Sequence, residues 1–222
     1  MARRGMKGSP QYGRTHRDER ARALTAPARP SKLRPMPADR SALHRLLAER
    51  SAKRGRFILA SGRESEFYVD ARLTAMSPDG LALIGPLALA EIEAAGWTPD
   101  SIGGLTLGAD PISYAISYAS ASTERPLRAF TVRKEAKAHG TGKLVEGPFR
   151  EGDRVVVIED VITTGGSALK AAAAVSAAGG MVLGVLALVD REEGGRESIE
   201  RAGYDVRALA RASEILALLP GH

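Results

Sequence analysis

From residue 41 to about residue 54, Ala42, Leu43, Leu46 and Leu47 recur at helical spacing behind Asp39, a residue suited to cap the helix. Short apolar runs at 57–59 and 67–69 flank a polar turn at Ser61, Gly62 and Arg63, which predicts a hairpin or two edge strands. Residues 78–95 predict a helix opened by Ser77 and Pro78 and stopped by Gly96. Beyond it the period alternates: strand at 102–107, helix at 111–121, strand at 127–132. Residues 140–148 hold three glycines and a proline without apolar period, which predicts a loop. Residues 154–158 are a continuous β-branched run, the pattern of a strand buried on both faces. An Ala-rich helix at 167–178 stops at Gly179 and Gly180, and a second buried strand follows at 181–189. Helix 197–202, strand 206–209 and helix 212–218 complete the chain. Such alternation predicts an α/β fold, a mostly parallel sheet flanked by helices.

Charge divides this chain into two parts. The 222 residues carry a net charge of +6. Residues 1–40 hold 11 Lys and Arg against 3 Asp and Glu, and residues 41–222 hold 21 against 23. The positive excess therefore belongs to the N-terminal segment, and nucleic acid is not expected as a partner of the body. Residues 1–37 also contain five of the twelve prolines and few large aliphatics, which predicts a basic, disordered arm. A solvated tail, or translation from Met36, is favoured for it over a polyanion anchor. Residues 38–222 are expected to form one domain. No cysteine is present, so disulfides, thiolate metal sites and Cys nucleophiles are excluded. No apolar run approaches the ~18–20 residues of a membrane span, and a soluble, cytoplasmic protein is expected.

The most informative run begins at Val155. A buried strand leads to Glu159 and Asp160, then Val161, Ile162, Thr163, Thr164, Gly165, Gly166 and Ser167, where a helix begins. A turn of hydroxyls and glycines at a helix N-terminus offers clustered N–H and O–H donors and suits a phosphate monoester. Neither G-x-x-x-x-G-K-[ST] nor a strand-borne G-x-G-x-x-G occurs. Two carboxylates beside a phosphate nest call for hydroxyl donors or a metal next to that phosphate, as a ribose 5-phosphate provides. The bland alternative is a helix cap with solvated acids.

This pattern resembles the type I phosphoribosyltransferases, whose signature for phosphoribosyl pyrophosphate (PRPP) is a hydrophobic strand, two acids and a T-x-G-x-[ST] loop. The resemblance implies their fold, with a small N-terminal hood. It also implies that Glu159 and Asp160 hold the ribose hydroxyls and that residues 161–167 bind PRPP, Thr163 to Ser167 holding its 5-phosphate.

A second constellation, Arg133, Lys134, Lys137 and His139 running into Gly140 and Gly142, places cations on a lid-like loop. Such donors, usually with Mg²⁺, stabilise the charge that builds on departing pyrophosphate, and His139 could donate a proton. A basic surface loop is commonly just solvated. The wording R-K-x-x-K-x-H-G is similar to the catalytic loop of the orotate phosphoribosyltransferase family. That resemblance implies a homodimer in which Arg133, Lys137 and His139 serve the partner's site and Lys134 its own. It also implies Lys137, His139, Glu159 and Asp160 as the catalytic set, Mg²⁺ as cofactor, and PRPP and orotate as substrates.

Residues 61–68 are similar to the family's S-G-[RK]-x-S-x-[FY]-[FY] segment. Phe67 and Tyr68 can cover a pyrimidine face or serve the core. Arg191, after the last central strand, can pair with an orotate edge, or form a surface ion pair with Glu192 or Glu193. With the resemblance, Thr163, Arg191, Phe67 and Tyr68 are the expected orotate contacts. Two departures stand out. Ala60 occupies a position where many members carry Lys, and Leu107 and Gly108 replace a common Tyr-Lys pair, leaving backbone N–H groups to cradle pyrophosphate.

Overall fold

In the computed structural model, which describes residues 39–58, 64–135 and 143–220, six strands form one sheet. They are β3 (Ser101–Leu105), β4 (Arg128–Val132), β5 (Val145–Glu146), β6 (Arg154–Ile162), β7 (Met181–Asp190) and β8 (Asp205–Arg211). A separate antiparallel pair, β1 (Ala52–Ile58) and β2 (Glu64–Val69), precedes them and forms the N-terminal hood. The large sheet has the order β5-β4-β3-β6-β7-β8, with every pairing parallel except β4 with the two-residue β5. From β3 the chain moves to β4 on one side and returns to β6 on the other. The β3/β6 boundary is therefore the point where strand order reverses, and ligands of open α/β sheets collect at the carboxyl ends of strands there.

The β-branched run in β6 is continuous because both of its faces are buried. Val155 and Val157 enter one core with α5 (Gly166–Ala177) and α6 (Gly195–Arg201), while Val156 and Ile158 enter the other. That second core is closed by α1 (Arg40–Arg50), α3 (Pro78–Ala94), α4 (Ala109–Ser120) and α7 (Ala212–Leu216). The period-two alternation of a strand thus feeds two apolar layers.

Helix α1 begins as expected, with the Asp39 side chain accepting the Ala42 N–H. It ends at Arg50 rather than at residue 54, because Ala52 already pairs with Val69 in the hood. Helix α3 starts on the Ser77 cap and Pro78 and carries Pro86 within it. The sequence pattern left out α2 (Arg72–Ala75) and β5, and it ended β6 too early. Pairing with β7 extends β6 from Ile158 to Ile162, so Glu159 and Asp160 lie inside the strand. The loop expected at 140–148 contains β5 in its described part, held against β4 through the Thr131 and Glu146 register. Among the described residues no helix is long and apolar enough to cross a membrane.

Candidate active site

A cleft of about 370 Å³ opens at the β3/β6 switch point. Its walls are the β3–α4 turn at Thr106, Leu107 and Gly108, the end of β6 with Glu159, Asp160 and Val161, and Thr163 and Ser167 of the following turn. The hood side supplies Tyr68, Asp70 and Arg72, and Lys134 and Arg191 complete the rim. A smaller hollow beside it is lined by Glu159, Val161, Ile162, Thr163, Thr164, Gly165, Gly166 and Ser167. Every member of the acidic-pair motif reaches one hollow or the other, including Ile162, whose side chain is otherwise in the core.

The turn from β6 into α5 is shaped by Gly165, whose φ of +82° is a left-handed conformation that costs other residues free energy. No side chain caps α5, in contrast to α1 and α3, so the unpaired N–H groups of its first turn face the hollow with Thr163, Thr164 and Ser167. Across the cleft, Gly108 comes against the Asp160 carboxylate, which occupies the space where a side chain at 108 would go.

The two acids have different environments. Glu159 is 7% exposed, and its Oε2 has no hydrogen-bond partner. Burial pushes its carboxyl well above the usual glutamate range, and the neighbouring Asp160 adds to the shift. Asp160 is less buried and accepts the Val161 N–H at 3.0 Å. An oxygen-only pair with an unpartnered buried acceptor suits a hard cation that keeps most of its ligands as water and substrate phosphate. Among the described residues no group of three potential metal ligands occurs.

Arg191 is 5% exposed. Its Nη2 donates to Ser65 Oγ at 2.9 Å and to the Phe67 carbonyl at 3.2 Å, and lies 2.7 Å from Glu193 Oε1. The ion pair with Glu193 is thus present, buried rather than at the surface, and Arg191 also lines the cleft, with a buried Nε that has no hydrogen-bond partner. Phe67 lies beneath the Arg191 guanidinium and packs on the core, outside the cleft wall, whereas Tyr68 lines it.

Lys134 reaches the cleft, and its carbonyl accepts from Lys170 Nζ of α5 at 2.7 Å. Arg133 is not in the cleft wall; its Nη1 lies 3.6 Å from Glu146. Lys137, His139, Ala60 and the Ser61, Gly62, Arg63 turn lie outside the described residues. Sequence reasoning passed over Asp70 and Arg72. Arg72 grips Asp70 through Nε at 2.8 Å and Nη2 at 2.9 Å, which holds the Asp70 carboxyl below its usual range. Nothing in a D-x-R triplet signals a cleft; the hood brings it there.

No family model matches the chain. It is, however, 48% identical over 181 residues to the orotate phosphoribosyltransferase of Aquifex aeolicus, covering 80% of this chain and 98% of the relative. The chain belongs to the orotate phosphoribosyltransferase family. Its fold matches the crystal structure of the Mycobacterium tuberculosis H37Rv family member in complex with Fe(III) dicitrate, with a TM-score of 0.69 and 44% identity over 80% of this chain and 98% of that one. The same mycobacterial enzyme solved with PRPP gives a TM-score of 0.65 at 37% identity, covering 80% and 91%. The expected type I phosphoribosyltransferase fold is thus the observed one, with its mostly parallel sheet and helical layers.

Proposed function

We propose that this cleft transfers the 5-phosphoribosyl group of PRPP to orotate, giving orotidine 5′-phosphate and pyrophosphate. The observation that carries the reading is the meeting, in one family member's cleft, of the acidic pair, the uncapped α5 turn and Arg191. In this reading the α5 turn holds the 5-phosphate through N–H and hydroxyl donors. Glu159 and Asp160 accept the ribose hydroxyls and fix the sugar. Pyrophosphate lies along the N–H groups of Gly108 and Ala109 and against Lys134. Orotate sits between Tyr68 and Arg191, with Thr163 at its edge and Phe67 acting through the guanidinium it supports.

The C1–O bond to pyrophosphate stretches first, and the sugar gains oxocarbenium character. Orotate N1 then forms the new bond to C1 with inversion as pyrophosphate leaves with the bond pair. Positioning and charge stabilisation carry the step, without a covalent enzyme intermediate. Bound Mg²⁺, held by the substrate's phosphates and by Glu159 and Asp160, would supply further charge neutralisation. Lys137 and His139, placed by the family resemblance on the lid, would serve the leaving group.

The active form in this reading is a homodimer that shares its lid. Tyr114 and Tyr118, one turn apart on α4, and Leu73 and Met76 at α2 are exposed large apolar side chains, which supports burial against a second copy. Arg133, turned to Glu146 outside its own cleft wall, fits service in the partner's site. Residues 1–37 are read as an arm outside the catalytic domain; deleting residues 1–35 would then leave turnover nearly intact. The reading carries a cytoplasmic location.

The deciding assay follows loss of orotate absorbance on adding PRPP and Mg²⁺. Turnover of uracil or a purine in place of orotate would overturn the specificity. No turnover with any base would favour a PRPP-sensing regulator on the same fold.

A further inference from the structure

Asp110 is the acidic residue in the first turn of α4, 7% exposed and behind the cleft wall rather than in it. Each of its carboxylate oxygens accepts a hydroxyl. Thr106 Oγ1 donates to Oδ2 at 2.7 Å, and Thr131 Oγ1 donates to Oδ1 at 2.8 Å. Thr131 has one proton and gives it to Asp110, so the Tyr114 hydroxyl, 3.2 Å away, donates to Thr131. The chain of bonds runs from the exposed face of α4, through β4, to the turn at the carboxyl end of β3. Thr106 is anchored a second time by its backbone, whose N–H donates to the Val132 carbonyl at 2.8 Å.

The consequence for the cleft is one of proton direction. Thr106 lines the wall, but its only hydroxyl proton points back to Asp110. An anion entering there meets oxygen lone pairs at Thr106 and depends for donors on the N–H groups of Gly108 and Ala109, because the Asp110 N–H is given to the Leu107 carbonyl and Pro111 has none. No lysine stands in this turn, so the orientation of its peptide groups governs what it binds. The Asp110 charge is accommodated where it is, because the N-terminal turn of a helix favours an acid.

We propose that Asp110 is a positioning residue for this turn, fixing the peptide groups that receive pyrophosphate and turning the Thr106 proton away from it. The proposal rests on the reading that pyrophosphate binds at residues 106–109. Asp110 touches no substrate and acts through Thr106.

The test uses the full chain with Mg²⁺ and measures kcat, both KM values, inhibition by pyrophosphate and the thermal midpoint. Asp110→Asn is isosteric but replaces one acceptor with a donor, so the two threonines can no longer both donate. We expect its PRPP KM and pyrophosphate inhibition constant to rise about tenfold, with the orotate KM unchanged within about twofold. Thr106→Val should reproduce that split, and Thr106→Ser, which keeps the hydroxyl, should restore wild-type values. Should Asp110→Asn fail to fold, Thr131→Val removes one support and should raise the pyrophosphate constant about threefold. Variants that melt earlier yet keep wild-type PRPP KM and pyrophosphate inhibition would overturn the proposal alone. A wild-type chain that turns over orotate but is not inhibited by pyrophosphate would overturn the site assignment, and the proposal with it.

Discussion

The guanidinium of Arg191 lies over the Phe67 ring, its Cζ 4.5 Å from the ring centroid, so a residue after β7 is stacked on a hood residue 124 positions earlier. Arg191 therefore ties the hood to the sheet while also lining the cleft. Truncating it should have two effects. Arg191→Ala should raise the orotate KM tenfold or more, on the order of a lost hydrogen bond to a charged group, and should lower stability by ~1–3 kcal/mol through loss of the Ser65 and Phe67 bonds. Ser65→Ala should show the stability loss in smaller form with a modest KM change. An unchanged orotate KM in Arg191→Ala, measured on folded protein, would remove Arg191 from the base site.

Gly108 and Asp160 face one another with no room for a methyl group between them. Gly108→Ala should therefore push the turn and the carboxylate apart, exactly where the proposed reaction needs both. We expect kcat/KM for PRPP to fall about 100-fold, which corresponds to roughly 2.7 kcal/mol of lost transition-state binding. Circular dichroism and the urea midpoint should change little, since the strain falls on the cleft. A Gly108→Ala enzyme with wild-type kcat/KM would show that this contact is not needed.

Glu159 gives a pH prediction with a definite sign. Its carboxyl is pushed up by burial and by Asp160, so between the ordinary glutamate value near ~4.3 and its own raised value the folded chain holds a proton that the unfolded chain has lost. Stability contributed by this residue falls as pH rises through that window. Glu159→Gln removes the dependence, so the variant's urea midpoint, measured without substrates, should gain on wild type between pH 5 and pH 8. Its turnover should drop sharply, because an NH₂ donor replaces one of the two carboxylate oxygens available to a ribose hydroxyl. An equal margin over wild type at both pH values would contradict the assignment.

The parts that were legible in the sequence are those written in consecutive residues. The alternation of Val155, Val156, Val157 and Ile158 between two cores, and the run from Glu159 to Ser167 that lines the two hollows, each depend on one strand and the turn after it. What was hidden depends on pairing across the chain. The reach of β6 to Ile162 comes from its register with β7, and the short α1 comes from Ala52 pairing with Val69. Arg191 could be read as a ligand or as half of an ion pair, because only the hood shows that it is both cleft residue and partner of Glu193. Asp110 carried no motif at all; its partners Thr106 and Thr131 come together only when β3 and β4 lie side by side.

A shared lid makes a prediction about mixtures that a self-contained site does not. In the dimer reading, Lys137 of one subunit works with Asp160 of the other. Lys137→Ala homodimers lack the lid cation at both sites, and Asp160→Ala homodimers lack the ribose acid at both. In a hybrid dimer one site carries both lesions and the other neither. Random exchange of equal amounts gives half hybrids by the two-fold symmetry of the assembly, each with one intact site, so activity should recover to about a quarter of wild type. Sites built within single subunits would instead leave the mixture no more active than the average of its two parents, and that result would sink the shared lid.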